Sequence, residues 1–232
     1  MKLFSEQEII ETYNKYVKKD KTYYEKANRE YKKLSKREQN KYFNNDFPRV
    51  ASLFDFKEWI EKYDLKTPKS LLSTFRNDFE LQYLNPQNVE YFEYRGNGIG
   101  DLHTINLEKK DFDFIIFNQT LEHLYNPFLC MKNLFDHIKP GGYLYTTVPT
   151  INIPHMVPFH FWGFTPIGLC MLSKSVGFDI LECGFWGNYE YLGHIFTYGD
   201  WPNNEAVHDD DGNIKNTDLC QAQTWVLLQK PN

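Results

Sequence analysis

The sequence predicts a doubly wound, mostly parallel α/β sheet preceded by a helical N-terminal extension. Two observations carry this. The run DFDFIIFNQTLEHLYNPFLCMKNLFDHIKPGG, residues 111–142, writes a strand, a polar tip, a helix and a glycine stop in succession. A second helix and strand then repeat the order, and strands alternating with helices bury their apolar faces best as a parallel sheet covered on both sides.

Residues 112–117 are almost continuously apolar, as a strand buried on both faces requires. The run ends at Asn118 and Gln119, at the strand's carboxyl end, where open α/β sheets bind ligands. Asn126 and Pro127 start a helix, and Phe128, Met131, Leu134, Phe135 and Ile138 give it one apolar stripe. Lys139, Pro140, Gly141 and Gly142 stop it, and residues 143–148 read as the next strand. Thr165 and Pro166 begin a further helix, with a stripe of Leu169, Leu172 and Val176 running to a stop at Gly177. Residues 178–183 and 224–228 supply two final strands, and a helix over 55–63 leads into the sheet through Thr67 and Pro68.

The N-terminal segment reads as helical and basic. Ser5 with Glu8 makes a capping box, and Ile9, Ile10 and Tyr13 begin a stripe. Residues 15–41 carry eleven Lys and Arg against four Asp and Glu, with Tyr16, Tyr23, Tyr24 and Tyr31 interleaved. The expected arrangement is a solvated face whose tyrosines pack on the main domain. The alternative is a contact to phosphate or nucleic acid through this basic arm. The organisation expected is an extension over 1–66 and an α/β domain over 67–232, with an aromatic insertion at about 184–220.

At 232 residues and a net charge of −5, the chain is long enough for one sizeable core. Cys130, Cys170, Cys183 and Cys220 are widely spaced with no CxxC, so they read as buried thiols and not as a zinc or disulfide frame. No apolar run is long enough to span a bilayer, and a soluble cytoplasmic protein is expected.

Five segments in order, FDFIIFNQTLEHL, KPGGYLYTTVP, HFWGFTPIGL, SVGFDILECGFWGN and TWVLLQKP, resemble the second half of class I S-adenosylmethionine (SAM) dependent methyltransferases. More narrowly, residues 70–231 resemble the methyltransferase type 11 group. The resemblance implies a Rossmann-like methyltransferase fold, SAM as cofactor, and methyl transfer to a small molecule or a glycan or sugar intermediate.

The family holds the methionine part of SAM on a glycine-rich turn after its first strand, where the backbone approaches closely. Here that place reads SLLSTFRNDFELQYL, with Thr74, Arg76 and Asp78 at the turn. Two readings follow: an altered turn that still holds SAM, or a non-catalytic methyltransferase-like binding protein that has lost the glycine loop. Arg76 and Asp78 turned outward, with backbone amides facing the pocket, fit the first; side chains filling the pocket fit the second. A sugar-modifying enzyme with no methyl donor is a third, weaker reading. Residues 89–107 leave no room for the helix a full-length member has, and the glycine run 96–100 reads as a turn. Gly100 and Asp101 match a family GD pair whose acid lies near the adenine. The expected cofactor set is Asp101, Leu102, Asn118, Gln119 and Thr74.

Chemistry is expected above the strand ends. Glu122 and His123 can act as an acid and base pair. The proline- and aromatic-rich loop 149–166 offers His155 and His160 as bases and Phe161 and Trp162 as a substrate wall, with Trp186 and Tyr189 as a second wall. Gly163 stands where the family often has Arg. No carboxylate is spaced with His155 and His160, so no metal site is expected.

Overall fold

The apolar run at 112–117 becomes the middle of a six-stranded sheet. A computed structural model of the chain describes residues 2–42, 47–93, 100–203 and 205–232, so most of the glycine run 96–100 lies outside the described residues. The strands are β1 (Ser70–Ser73), β2 (Asn88–Tyr91), β3 (Phe112–Asn118), β4 (Ile138–Pro149), β5 (Asp179–Trp186) and β6 (Gln223–Gln229), in the order β2-β1-β3-β4-β6-β5. The first four are parallel, and β6 runs antiparallel to both of its neighbours. The predicted α/β sheet with its helical extension is therefore present. β4 begins five residues earlier than expected, because Ile138 leaves α5 (Pro127–His137) and pairs with Phe112.

Helices cover both faces. On one, Met131 and Leu134 of α5 and Leu169 and Cys170 of α6 (Pro166–Val176) pack on Phe112, Ile115, Phe117, Leu144 and Val148. Asn126 caps α5 by accepting from Leu129 N–H, Thr165 caps α6 through Gly168 N–H, and Gly177 ends α6 at φ +119°. On the other face, α4 (Phe47–Lys62) and α7 (Tyr189–Tyr198) bury Phe47, Val50, Phe56, Trp59, Ile60, Leu192 and Ile195 against Leu71, Phe114, Ile116 and Tyr145. The sequence placed only the second half of α4. Its first half, with Phe47, Pro48, Val50, Ala51, Ser52 and Leu53 all buried, presents no single apolar stripe to read.

The N-terminal helices are α1 (Glu6–Thr12), followed by a π-turn over Tyr13–Val17, α2 (Lys21–Lys33) and α3 (Lys36–Tyr42). The Ser5 and Glu8 capping box forms as predicted. The tyrosines pack on the sheet. Tyr23 Oη accepts from Phe185 N–H at 2.7 Å and lies 3.0 Å from Phe185 O, and Lys19 Nζ donates to Cys183 O at 2.6 Å. These bonds satisfy the outward backbone groups of β5, an edge strand that would otherwise be open to pairing.

Asp55 of α4 ties these layers together. Its buried carboxylate accepts from Trp225 Nε1 on β6 at 2.9 Å and pairs with Lys26 Nζ of α2 at 2.5 Å. Burial raises its pKa against the opposing pull of Lys26. Gly184 on β5 makes room for it, since a Cβ there would stand 2.5 Å from Asp55 Oδ2 and 2.2 Å from Trp225 Nε1. All four cysteines are free and buried, and no helix among the described residues is long and apolar enough to cross a membrane.

Removing one partner of a buried, hydrogen-bonded ion pair strands the other. Asp55→Ala is expected to lower the unfolding free energy by about 3–5 kcal/mol in urea titration. A loss below about 1 kcal/mol would show that the pair does not anchor α4.

Candidate functional site

The carboxyl ends of β1 and β3 open into a cavity of about 670 Å³. One wall is the turn after β1, and four of its amides are already used. Thr74 N–H donates to Ile116 O at 3.1 Å, Phe75 N–H to Ser73 Oγ at 3.3 Å, Arg76 N–H to Glu93 Oε1 at 3.0 Å and Asp78 N–H to Phe75 O at 3.5 Å. Polarity comes from side chains instead. Asp78 is buried beside the cavity, 3.0 Å from Ser73 Oγ, 3.4 Å from Asn118 Nδ2 and 3.6 Å from Arg49 Nη2. Burial pushes its pKa up to about 6 against the opposing pull of Arg49. Arg76 turns outward, its Nε donating to Glu93 Oε2 at 2.9 Å and its guanidinium over the Tyr91 ring at 4.4 Å. The two side chains thus answer the sequence question in opposite ways, Arg76 outside and Asp78 within.

The cofactor residues expected from sequence all line this cavity: Thr74, Asp101, Leu102, Asn118 and Gln119. Thr74 Oγ1 and Asn118 Oδ1 are buried with no hydrogen-bond partner among the described residues. Gln119 takes φ +46°, with its N–H on Thr147 O and its amide on Thr147 Oγ1, so the tip of β3 is fastened to β4. Asp101 Oδ1 accepts from His103 N–H at 2.9 Å and lies 2.7 Å from His103 Nδ1. Because Asn126 N–H donates to His103 Nε2 at 3.2 Å, the imidazole proton must sit on Nδ1 and point at Asp101. The bonds to Asp101 fall on one oxygen, and the His103 ring stacks on Tyr125 at 4.0 Å.

Sequence reasoning missed Arg49 and Glu93. Arg49 lies on the half of α4 that lacks a readable stripe. Glu93 follows β2 by two residues and lines the cavity about twenty residues after β1, the separation at which dinucleotide sites place an acid against a ribose. That spacing was the available signal.

Above the cavity, the loop after β4 returns over the 3₁₀ turn Leu121–His123. Phe161 N–H donates to Glu122 O at 2.8 Å, and His123 Nδ1 lies 2.7 Å from Phe159 O. Phe161 lines the cavity, while Trp162 is held by Nε1 donating to Leu124 O at 3.0 Å. Gly163 is fixed by contact, since a Cβ would lie 2.3 Å from Thr150 O, so an Arg cannot take this place. His123, His155 and His160 converge: His123 and His160 rings lie 4.7 Å and 4.6 Å from His155. Burial lowers the pKa of His123 and His160, keeping them neutral and able to accept a proton. Glu122 is fully buried, neither carboxyl oxygen has a hydrogen-bond partner among the described residues, and burial pushes its pKa up to about 8. Its Oε1 is 3.7 Å from His123 Nε2, too long for the hydrogen bond an acid and base pair would make.

The second wall is corrected. Trp186 is fully buried in the core, 4.7 Å from the Phe47 ring, because β5 continues through it beneath α4. Tyr189 is exposed on the first turn of α7 and does not line the cavity.

Residues 70–175 match a family model described as a methyltransferase domain. Among solved structures, the [4+2]-cyclase SpnF is 14% identical over 78% of this chain and 82% of its own, with a TM-score of 0.50. Phosphoethanolamine N-methyltransferase 2 of Haemonchus contortus, in complex with SAM, is 12% identical over 77% of this chain and 53% of its own, also at 0.50. A Burkholderia thailandensis 1,6-didemethyltoxoflavin N1-methyltransferase with S-adenosylhomocysteine bound is 10% identical over 77% of each chain, at 0.48. No curated protein sequence matches the chain. The match over residues 70–175 supports the methyltransferase resemblance seen in the sequence, and the sheet and flanking helices have the Rossmann-like fold of class I SAM-dependent methyltransferases.

Asp78 gives a pH signature to the folded state. Its pKa rises from 3.8 unfolded to about 6 folded, so the contribution it makes is present below about 3.8 and is lost as pH rises through about 6. Asp78→Asn should flatten this interval in urea titrations from pH 4 to 7, by on the order of 2–3 kcal/mol. An unchanged pH profile would place the Asp78 carboxyl in a solvated setting.

Proposed function

We propose that this chain binds SAM in the cavity at the ends of β1 and β3 and transfers its methyl group to a small molecule or glycan intermediate. The observation that carries the reading is the Arg49 and Asp78 pair, opposite charges 3.6 Å apart where the family has glycine amides. An amino-acid zwitterion needs one cation and one anion. Arg49 would take the carboxylate and Asp78 the ammonium, doing with side chains what the occupied amides of the turn no longer do. The unpartnered Thr74 Oγ1 and Asn118 Oδ1 add an acceptor each beside them. At the other end, Glu93 suits a ribose diol, and Asp101 with Leu102 suits the amino edge and face of adenine. Bound there, the sulfonium supplies an activated methyl group. The chain's own work is to align the acceptor beneath the loop carrying Phe161 and to receive its proton at a histidine, His123, His155 or His160.

The second reading, a binding protein without catalysis, is favoured by one feature: Asp78 lies inside the pocket and the four amides of the turn are satisfied internally. Calorimetry with SAM and S-adenosylhomocysteine separates the two. Micromolar binding is expected, with Arg49→Met and Asp101→Ala each weakening it at least tenfold. Affinity should also fall as pH drops below about 6, where Asp78 takes up a proton. No heat at millimolar ligand would leave the non-catalytic reading. Unchanged affinity in Asp101→Ala would remove that residue from the site.

A further inference from the structure

Three histidines from two separate segments meet at the rim of the cavity. The 3₁₀ turn after β3 supplies His123, and the loop after β4 supplies His155 and His160. One ring nitrogen from each lies within 4.8 Å of the other two. Nitrogens bound to one tetrahedral zinc at about 2.0–2.1 Å stand roughly 3.3 Å apart, so small side-chain rotations would close the set.

The hydrogen bonds fix which nitrogens are available. His123 Nδ1 lies 2.7 Å from Phe159 O and His155 Nδ1 lies 3.0 Å from Ile153 O. A carbonyl oxygen only accepts, so both rings carry their proton on Nδ1 and present the Nε2 lone pair. Histidines that bind metals use this arrangement, because the carbonyl sets the tautomer and the ring direction. The third ring, His160, keeps Nδ1 buried with no hydrogen-bond partner among the described residues.

Glu122 supplies an independent sign. Its fully buried carboxyl lies 3.7 Å from His123 Nε2, and neither oxygen has a hydrogen-bond partner among the described residues. Such a group is costly to bury without a donor or a cation beside it.

We propose that His123, His155 and His160 form a binding site for a divalent transition ion, with zinc as the type, and that the Glu122 carboxyl supports the ion from beneath. Neutral imidazoles suit zinc, cobalt and nickel and discriminate against magnesium and calcium, which take oxygen ligands. Three protein ligands leave a coordination position for water or a substrate atom. His123 also lines the cavity, so ion and cavity share a side chain. On the methyl-transfer reading, that position would hold the acceptor's nucleophilic atom and ease loss of its proton to solvent, which replaces proton transfer to one of the three histidines whenever the ion is bound. Ion binding itself does not depend on that reading.

The test uses the full chain, stripped with a chelator, titrated with zinc by calorimetry and with cobalt by visible absorption. One zinc per chain at micromolar affinity or tighter is expected, together with the intense visible bands of four-coordinate cobalt. His155→Ala and His160→Ala should each weaken zinc binding at least tenfold, and Glu122→Gln should weaken it less while retaining one ion per chain. If a variant fails to fold by circular dichroism, the cobalt spectrum of the wild type decides: the pale spectrum of six-coordinate cobalt would overturn the proposal. So would absence of binding at millimolar zinc, or wild-type affinity in both folded histidine variants. A parallel titration with S-adenosylhomocysteine separates failure of this site from failure of the methyl-donor reading.

Discussion

The burial of α4 against the sheet is the constraint on which the site depends. Asp55 fixes it, holding Trp225 of β6 and Lys26 of α2 from one carboxylate. Arg49 sits less than two turns earlier on the same helix and reaches Asp78 at the cavity wall. The register of α4 therefore decides whether a cation stands beside the first strand. The basic arm belongs to the same arrangement, since Lys26 completes the Asp55 pair while Tyr23 and Lys19 close the edge of β5. Lys19 and Lys26 thus do structural work where a sequence reading could also see a phosphate surface.

On the proposed reading, the turn after β1 exchanges one kind of recognition for another. A glycine turn offers backbone amides and the positive end of a helix to an anion. Here the turn is followed by a short 3₁₀ segment, Phe79–Tyr83, and four amides are consumed internally. A guanidinium from another helix and a carboxylate from the turn take their place. Such side chains are more costly to bury than amides, which is visible in the raised pKa of Asp78. The shared fold does not decide the reaction, for a [4+2]-cyclase also has it.

The run from β3 to β5 was legible because both of its helices are amphipathic and carry local stop and start residues: Asn126, Pro127, Thr165, Pro166 and Gly177 act within one turn of their own position. α4 was half legible, since a helix buried nearly all round has no stripe. The aromatic insertion misled for a related reason. Trp186 and Tyr189 are three residues apart, yet one ends a buried strand and the other starts an exposed helical turn.

The sequence by itself determined the strand and helix order from β3 to α6, the capped ends, the capping box at Ser5 and the placing of Asn118 and Gln119 at a strand end, because these follow from local propensity and from period, while Asp101, Leu102 and Thr74 came from the family resemblance. Only the tertiary structure decided that Arg49 meets Asp78, that Glu93 joins the same cavity, that Trp186 is core, and that His123 joins His155 and His160. Those are meetings between residues separated by 29 positions, for Arg49 and Asp78, up to 139, for Phe47 and Trp186, and sheet order and helix docking, which no local pattern encodes, bring them together.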